Sequence, residues 1–445
     1  MLKSPHYVAY SVALNRPFIA LLLALFAGGA AAAPVKALLP AYVESVLGQP
    51  PLLTSALLAI QLGCGGLFAL AGGAVSDLLS RRAAVLIGLT TALFGAALFT
   101  AHQPAVLVGL AALWGIASGF QSTGGQSFML AAVRRTRLGS ATAVYFVSST
   151  ASGALGASLA GWGADQLGFG AVAAGAALLG LVSLALAVRF LPALEHGPAG
   201  GASARSRASP PSPSFLPSLP PRRPPAGAWF FAGYGDLLRR SDVLALGALR
   251  YFPTVAWGAA SLALPLLIFR LSGTTSTVGW FSMVSLLAAS AAQVLTGRLI
   301  DRRARRARSA GGEPAVSSVS SKPLVAPLAA LILLSTCLAA IWSESLAGLF
   351  VAGTAWAMAA WALSTTMPPL IHELGEGRDD GRLVALTHLL WSAGMLSGTL
   401  AAGALVDRHA AAPFALAGAC LAVTLAVGLR FPHLQHAPRH AGQPA

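Results

Sequence analysis

The sequence predicts an all-helical membrane protein that crosses the bilayer twelve times, as two pseudo-symmetric six-helix bundles. Three observations carry this. Of 445 residues, 56% are apolar and only 10% are charged, with a mean hydropathy of +0.71. Soluble domains carry about 25% charged residues. Twelve apolar runs follow one another along the chain, most of them near the ~20 residues that a helix needs to cross the hydrocarbon. Short motifs from the first six runs also recur in the last six.

The runs lie at 17–42, 52–76, 83–101, 105–131, 139–164 and 168–190, and again at 243–268, 275–299, 323–341, 345–370, 383–406 and 411–430. They are too long and too evenly apolar for the alternating strands of a membrane β-barrel. Twelve crossings put both termini on one side. If that side is the cytoplasm, all but four of the 29 Lys and Arg fall on it, as the positive-inside rule demands. Arg270 and Arg408 fall on the outer side, and Lys36 and Arg250 fall within spans, well away from their ends. The same distribution excludes nucleic-acid binding as the reason for the net charge of +15. The basic residues form short clusters between apolar runs rather than one face.

The N-terminal basic stretch followed by an apolar run has the look of a signal peptide. Its length, and the eleven runs after it, make it a first transmembrane helix instead. Cys64, Cys337 and Cys420 all lie inside apolar runs, so neither a disulfide framework nor a metal site is expected. Between spans six and seven the segment 192–241 holds ten of the chain's 28 prolines, with serine and arginine. Such a stretch buries no core and should be flexible or polyproline-like. Its end, Trp229-Phe230-Phe231 followed by Asp236 to Arg240, suits a short amphipathic helix on the membrane surface. The expected organisation is an N-terminal bundle at 1–191, a cytoplasmic linker at 192–241, a C-terminal bundle at 242–432 and a cytoplasmic tail at 433–445.

The halves repeat one another. Gly73-Ala-Val-Ser-Asp77-Leu-Leu-Ser-Arg81-Arg82 follows span two, and Gly297-Arg-Leu-Ile-Asp301-Arg-Arg-Ala-Arg305-Arg306 follows span eight. Both read G-x-x-x-D-x-x-small-R-R. Leu39-Pro40 near the end of span one is answered by Leu264-Pro265 near the end of span seven. Gly156, Gly161 and Asp165 in span five are answered by Gly398, Gly403 and Asp407 in span eleven.

Twelve helices, a long basic central loop and this motif after helix two resemble the major facilitator superfamily of secondary transporters. The resemblance covers the chain apart from the linker and tails. It implies two bundles rocking about a central site near the bilayer midplane, with helices one, four, seven and ten lining the cavity. It also implies a cytoplasmic latch made of Gly73, Asp77, Arg81, Arg82, Gly297, Asp301, Arg305 and Arg306. A carboxylate at Asp77 suits the positive end of a facing helix, and the arginines suit acidic partners; their other reading is that they only set topology. The sequence departs from the family pattern at Ser80 and Ala304, where glycine is usual. It departs again at 156–161, where proton-driven drug antiporters show G-P-x-x-G-G.

All fourteen acidic residues fall at helix ends or in loops, so no span centre holds a carboxylate. Lys36 in span one is a cationic substrate contact, or it snorkels outward or pairs with Glu44. Arg250 in span seven is a cavity cation or reaches inner phosphates. His388 in span eleven is a candidate proton carrier or a packing histidine. Gln121 and Gln126 in span four, Gln61 in span two, Trp257 in span seven and Trp356 in span ten are candidates for the substrate pathway, against interhelical hydrogen bonding and packing. Trp361 in span ten adds aromatic surface.

No P-loop, H-E-x-x-H, G-x-S-x-G or C-x-x-C occurs, so no cofactor, metal site or enzymatic activity is expected. The expected function is facilitative or secondary active transport of a small organic solute by alternating access, anionic or neutral solutes slightly favoured. Multidrug-type efflux is the alternative within the fold, and a non-transporting receptor or scaffold is the alternative of another class. Expected partners are the solute, the lipid bilayer and a coupling proton or other ion, with a monomer as the working unit. The Ala, Gly, Leu and Arg bias points to the cytoplasmic membrane of a GC-rich bacterium.

Overall fold

A computed structural model of the chain describes residues 15–78, 80–132, 138–193, 237–309, 322–375 and 380–431. They form α1 (Arg16–Ser45), α2 (Pro51–Leu78), α3 (Arg81–Leu98), α4 (Pro104–Ala132), α5 (Leu138–Leu167) and α6 (Phe169–Phe190). The second half forms α7 (Ser241–Ser272), α8 (Thr275–Ser309), α9 (Lys322–Ile341), α10 (Leu346–Gly375), α11 (Asp380–Leu405) and α12 (Ala412–Arg430). Ten of these twelve are long and apolar enough to cross a membrane by length and composition. The other two, α5 and α11, are 30 and 26 residues long.

Most ends fall within a few residues of the apolar runs, for local reasons. Asn15 caps α1, its side chain accepting the Phe18 N–H at 3.0 Å. Gly168 and Gly273 hold φ of +82° and +69° at the α5–α6 and α7–α8 turns, a region open to glycine and strained for other residues. Ser80 caps α3 by accepting the Ala83 N–H at 3.4 Å. The departure from the family's glycine thus supplies a cap, and its φ of −171° is ordinary extended backbone. Two features were not foreseen. Helix α3 breaks at Thr90 into Arg81–Leu89 and Thr91–Leu98. Helix α8 continues past residue 299 through an Ala/Arg stretch to Ser309, because alanine and arginine favour helix once the chain has left the apolar layer.

The glycine repeats set the packing between helices. A side chain at Gly156 of α5 would meet the Ala30 carbonyl of α1, and one at Gly398 of α11 would meet the Val255 carbonyl of α7. Gly161 lies against the Thr275 carbonyl of α8, and Gly403 against Ser55 and Pro51 of α2. In each half the first glycine seats a helix on its own bundle. The second seats it on the other bundle. Where lipid supplies no hydrophobic drive, such close backbone approach is what holds helices together. One apolar core then runs through the C-terminal bundle and joins it to part of the N-terminal bundle around Leu39, Tyr42, Phe99, Ala259 and Leu264. A separate core around Phe18, Leu21, Val85, Leu89 and Phe128 belongs to the N-terminal bundle alone.

Of the linker 192–241, the part at 194–236 lies outside the described residues, as do the tryptophan-containing segment and the tail beyond Phe431. Where the chain returns, Arg240 bonds Asp242 at 2.8 Å and the Leu374 carbonyl at 3.0 Å. These contacts tie the start of α7 to the end of α10.

Candidate functional site

The interior cations come first. From Ala31 to Val43 every residue of α1 is buried except Lys36, which is exposed. A lipid-facing stripe would expose neighbours one turn away as well. Lys36 therefore faces an internal space between helices. Its proposed partner Glu44 is engaged by Arg270 instead.

Arg250 is half-buried on α7. Its Nε donates to the Thr387 carbonyl of α11 at 3.4 Å, and no acidic partner faces it among the described residues. His388 follows Thr387 on the same neighbouring helix. His388 is exposed rather than packed away.

Arg250, Pro253, Thr254 and Trp257 recur at helical spacing along one face of α7. Together with Ile332 of α9 and Ala360, Leu363, Ser364 and Met367 of α10 they line a small recess. Trp257 meets Trp356 edge-on at 5.6 Å between centroids and Trp361 at 4.9 Å. The Nε1–H of Trp356 is buried without a partner. The recess thus presents a guanidinium at one end, an aromatic cluster at the other and hydroxyls between. Thr254 and Ser364 escaped the sequence reading because nothing local marks a hydroxyl as cavity-lining in a helix rich in small residues.

The N-terminal candidates are placed differently. Gln61 donates to Ser118 Oγ of α4 at 2.8 Å, an interhelical tie. Gln121 sits at the crossing of α4 with α3, where its Cα and Cβ are the atoms that a side chain at Gly88 would meet. Gln126 is half-buried. A polar contact between halves that the sequence did not signal joins Thr150 of α5 to Ser290 of α8 at 2.6 Å.

At one end of the molecule contacts bridge the two halves. Arg270, at the end of α7, holds Glu44 of α1 at 2.9 Å and Asp407 of α11 at 2.8 Å. Asp165 of α5 accepts the backbone N–H groups of Thr275 and Ser276 at 2.8 and 2.7 Å, and the Thr275 hydroxyl at 2.6 Å. It caps α8 from the opposite bundle. Burial alone would raise the Asp165 pKa, but the hydrogen bonds from Ser276 and Thr275 outweigh it and hold the carboxyl below its usual 3.8. The charge count had already set Arg270 apart as one of two outer cations. Its two partners came only with the fold.

Of the inner motif, Arg82 donates to the Val188 carbonyl near the end of α6 at 2.6 Å, a contact within its own bundle. Arg81 is half-buried, and Gly297 has open space beside it. The surroundings of Gly73 and the side chains of Asp77, Asp301, Arg305 and Arg306 lie outside what the structure describes. Among the described residues no three His, Cys, Asp or Glu side chains gather as a metal site would require.

Comparison with known proteins agrees with this geometry. The family model described as Major Facilitator Superfamily matches residues 18–338. The chain belongs to that superfamily: it is a multi-pass membrane transporter of the secondary type, which takes small-molecule substrates, and not an enzyme. A comparison with curated protein sequences finds no match. Among solved structures the chain is similar to the human organic anion transporter MFSD10 (TETRAN), at 18% identity and a TM-score of 0.62, over 93% of this chain and 99% of that one. It is also similar to a POT family transporter in complex with a thioalcohol-conjugated peptide and to one in complex with 5-aminolevulinic acid. Their TM-scores are both 0.70, at 12% and 14% identity, over 95% of this chain and 97% of each of those. At these identities the likeness is one of fold.

Proposed function

We propose that the protein carries a small organic anion across the membrane by alternating access, neutral solutes of similar shape being the weaker substrates. The observation that carries this reading is the pair of interior cations. Lys36 is the one exposed side chain in a buried stretch of α1, and Arg250 lines a recess with no acidic partner among the described residues. A cation inside the membrane is costly unless water or an anionic ligand meets it. The human organic anion transporter with the same fold gives a chemical class to test first.

A second reading is efflux of hydrophobic drugs. It draws on the Trp257–Trp356–Trp361 cluster and the apolar walls of the recess. Against it stand the absent carboxylate at the span centres and the missing proline of the helix-five motif. In either reading we place the protein as a monomer in a bacterial cytoplasmic membrane with both termini inside. The inner motif, Gly73, Asp77, Arg81 and Arg82 with Gly297, Asp301, Arg305 and Arg306, serves as the latch of the cytoplasmic side. Gln61, Gln121 and Gln126 border the pathway, and His388 beside Arg250 is the group that would carry a coupling proton.

The test is thermal stability of the purified protein against organic anions, sugars, amino acids and lipophilic cations, followed by flux of the best ligand into proteoliposomes. A ligand of the folded state raises Tm by mass action. A shift with an anion, lost in Lys36→Ala or Arg250→Ala, supports the reading. A shift with lipophilic cations that survives both substitutions sinks it and leaves drug efflux. Folded protein that binds yet moves nothing would favour a receptor or scaffold. Flux that collapses with a protonophore identifies the coupling ion.

A further inference from the structure

We propose that the recess on α7 is a binding site for aromatic carboxylates, held by the C-terminal bundle alone. This deepens the anion reading above and rests on it. Arg250 and Trp257 are seven residues apart on one helix face, which at 1.5 Å per residue places them about 10 Å apart along the axis. Thr254 and Pro253 fill the turn between. This spacing suits a ligand with a carboxylate at one end and a flat ring at the other, joined by an arm of two or three atoms.

The chemistry at each end is complementary. Guanidinium presents a planar fork of donors that matches a carboxylate, and only the Nε of Arg250 is drawn away, by a long bond to the Thr387 carbonyl. Trp257 already sits edge-on to two other indoles. A ligand ring placed against it extends that array, and edge-to-face pairs of this kind favour a flat π system over an aliphatic ring of equal area. All the lining residues come from α7, α9 and α10, so the site stays with one bundle while the other rocks.

The experiment titrates the purified full-length protein with four probes: 3-phenylpropionate, its amide, cyclohexanepropionate and acetate. Tm and tryptophan fluorescence are the readouts. We expect 3-phenylpropionate to raise Tm and to change the fluorescence. The amide and the cyclohexyl analogue should each bind at least tenfold more weakly, and acetate should have no effect. Arg250→Gln should remove the preference for carboxylate over amide, while Arg250→Lys retains part of it. Trp257→Leu should remove the preference for the aromatic ring while keeping that for charge.

Tm without ligand identifies any variant that fails to fold. If Arg250→Gln does, the Arg250→Lys and Trp257→Leu titrations decide. Equal binding of the amide, or of the cyclohexyl analogue, overturns the proposal. So does a carboxylate preference unchanged in Arg250→Gln. The two readings fail separately. If other organic anions move in proteoliposomes and 3-phenylpropionate neither binds nor competes, the aromatic site is wrong and the anion reading stands. If no anion binds or moves at all, the anion reading itself is wrong.

Discussion

Arg270 on α7 reaches across the two halves of the molecule to hold Glu44 on α1, with Nε 2.9 Å from one carboxylate oxygen and 3.1 Å from the other. A second bond from Nη2 takes Asp407 of α11 at 2.8 Å. One guanidinium thus joins the ends of three helices. All three side chains are partly exposed, at 30%, 30% and 48%, so each pair stabilises by no more than about 1 kcal/mol. That magnitude suits a contact that forms and breaks in each transport cycle.

Substitution of Arg270 by Gln should open the outer face without unfolding the protein. Loss of two such pairs shifts the equilibrium by under ~2 kcal/mol, and tenfold corresponds to ~1.4 kcal/mol. The population change should therefore be between a few-fold and about thirtyfold. The check is labelling of a Leu39→Cys reporter by an impermeant thiol reagent in a background free of other cysteines. Leu39 is fully buried on α1, the helix that supplies Glu44 to the bridge, so its labelling rate should rise in Arg270→Gln. High salt should raise the rate in the parent protein and bring it toward the variant, since screening weakens exposed pairs.

Asp165 is a second fastening between the halves and gives a pH signature. Its carboxyl is held below 3.8 by bonds from Thr275 and Ser276. A depressed carboxylate stabilises the folded, closed form above its unfolded pKa, and that contribution is lost as pH falls through the lowered value. Tm of the parent should thus hold level with respect to this group down to about pH 4 and fall below it. Asp165→Ala should cost about 0.5–2 kcal/mol at neutral pH, the usual loss for a helix cap. It should also lack the parent's share of the acid step. Equal acid sensitivity in both proteins would show that Asp165 carries none of it.

The same kind of carboxylate behaves differently in the other half, and the reason is local. Asp165 finds the free N–H groups at the start of α8. Asp407, its counterpart in the repeat, would look to the start of α2, which opens with Pro51 and offers no N–H there. It bonds Arg270 instead. The repeated glycines and the helix count were legible in the sequence, because periodic apolar runs and small residues act locally. The Arg270 bridge was legible only as an outer cation without an assigned partner. Its acids come from helices 226 and 137 residues away in the chain. The recess was half legible. Arg250 and Trp257 stand out from apolar neighbours, whereas Thr254 and Ser364 do not. Gln121 was legible as a polar residue of α4, whereas the close approach of its backbone to Gly88 of α3 was not, because which face of a small-residue helix meets its neighbour is decided by packing.

The glycine contacts are themselves testable by contrast. Gly398→Val should place its side chain on the Val255 carbonyl of α7, and Gly156→Val on the Ala30 carbonyl of α1. Forcing atoms into packed space costs about 1–3 kcal/mol, so each should lower Tm clearly or reduce the yield of folded protein. Gly170→Ala, in helix α6 with nothing within 4 Å of the added carbon, should be neutral or stabilising by up to about 1 kcal/mol, as alanine replaces glycine in a helix. Equal losses at all three positions would mean that the helices do not approach where the structure brings them together.

The rocking of the two halves has a direct test at α2 and α11, which pack across the bundle boundary. A Cβ built on Gly66 of α2 would lie 3.4 Å from the Cβ of Ser392 of α11. That is close to the ~3.5–4.5 Å separation found in disulfides. In a background with Cys64, Cys337 and Cys420 replaced, Gly66→Cys with Ser392→Cys should cross-link on mild oxidation. The link pins α2 to α11 in the observed arrangement, so flux in proteoliposomes should fall to the background of empty vesicles and return with dithiothreitol. Ligand binding measured by Tm should persist, because the recess on α7, α9 and α10 lies on one side of the pinned contact. Flux that continues at full rate after complete cross-linking would mean that the halves need not slide past one another at this depth, and the alternating-access reading would have to be given up for a motion within one bundle.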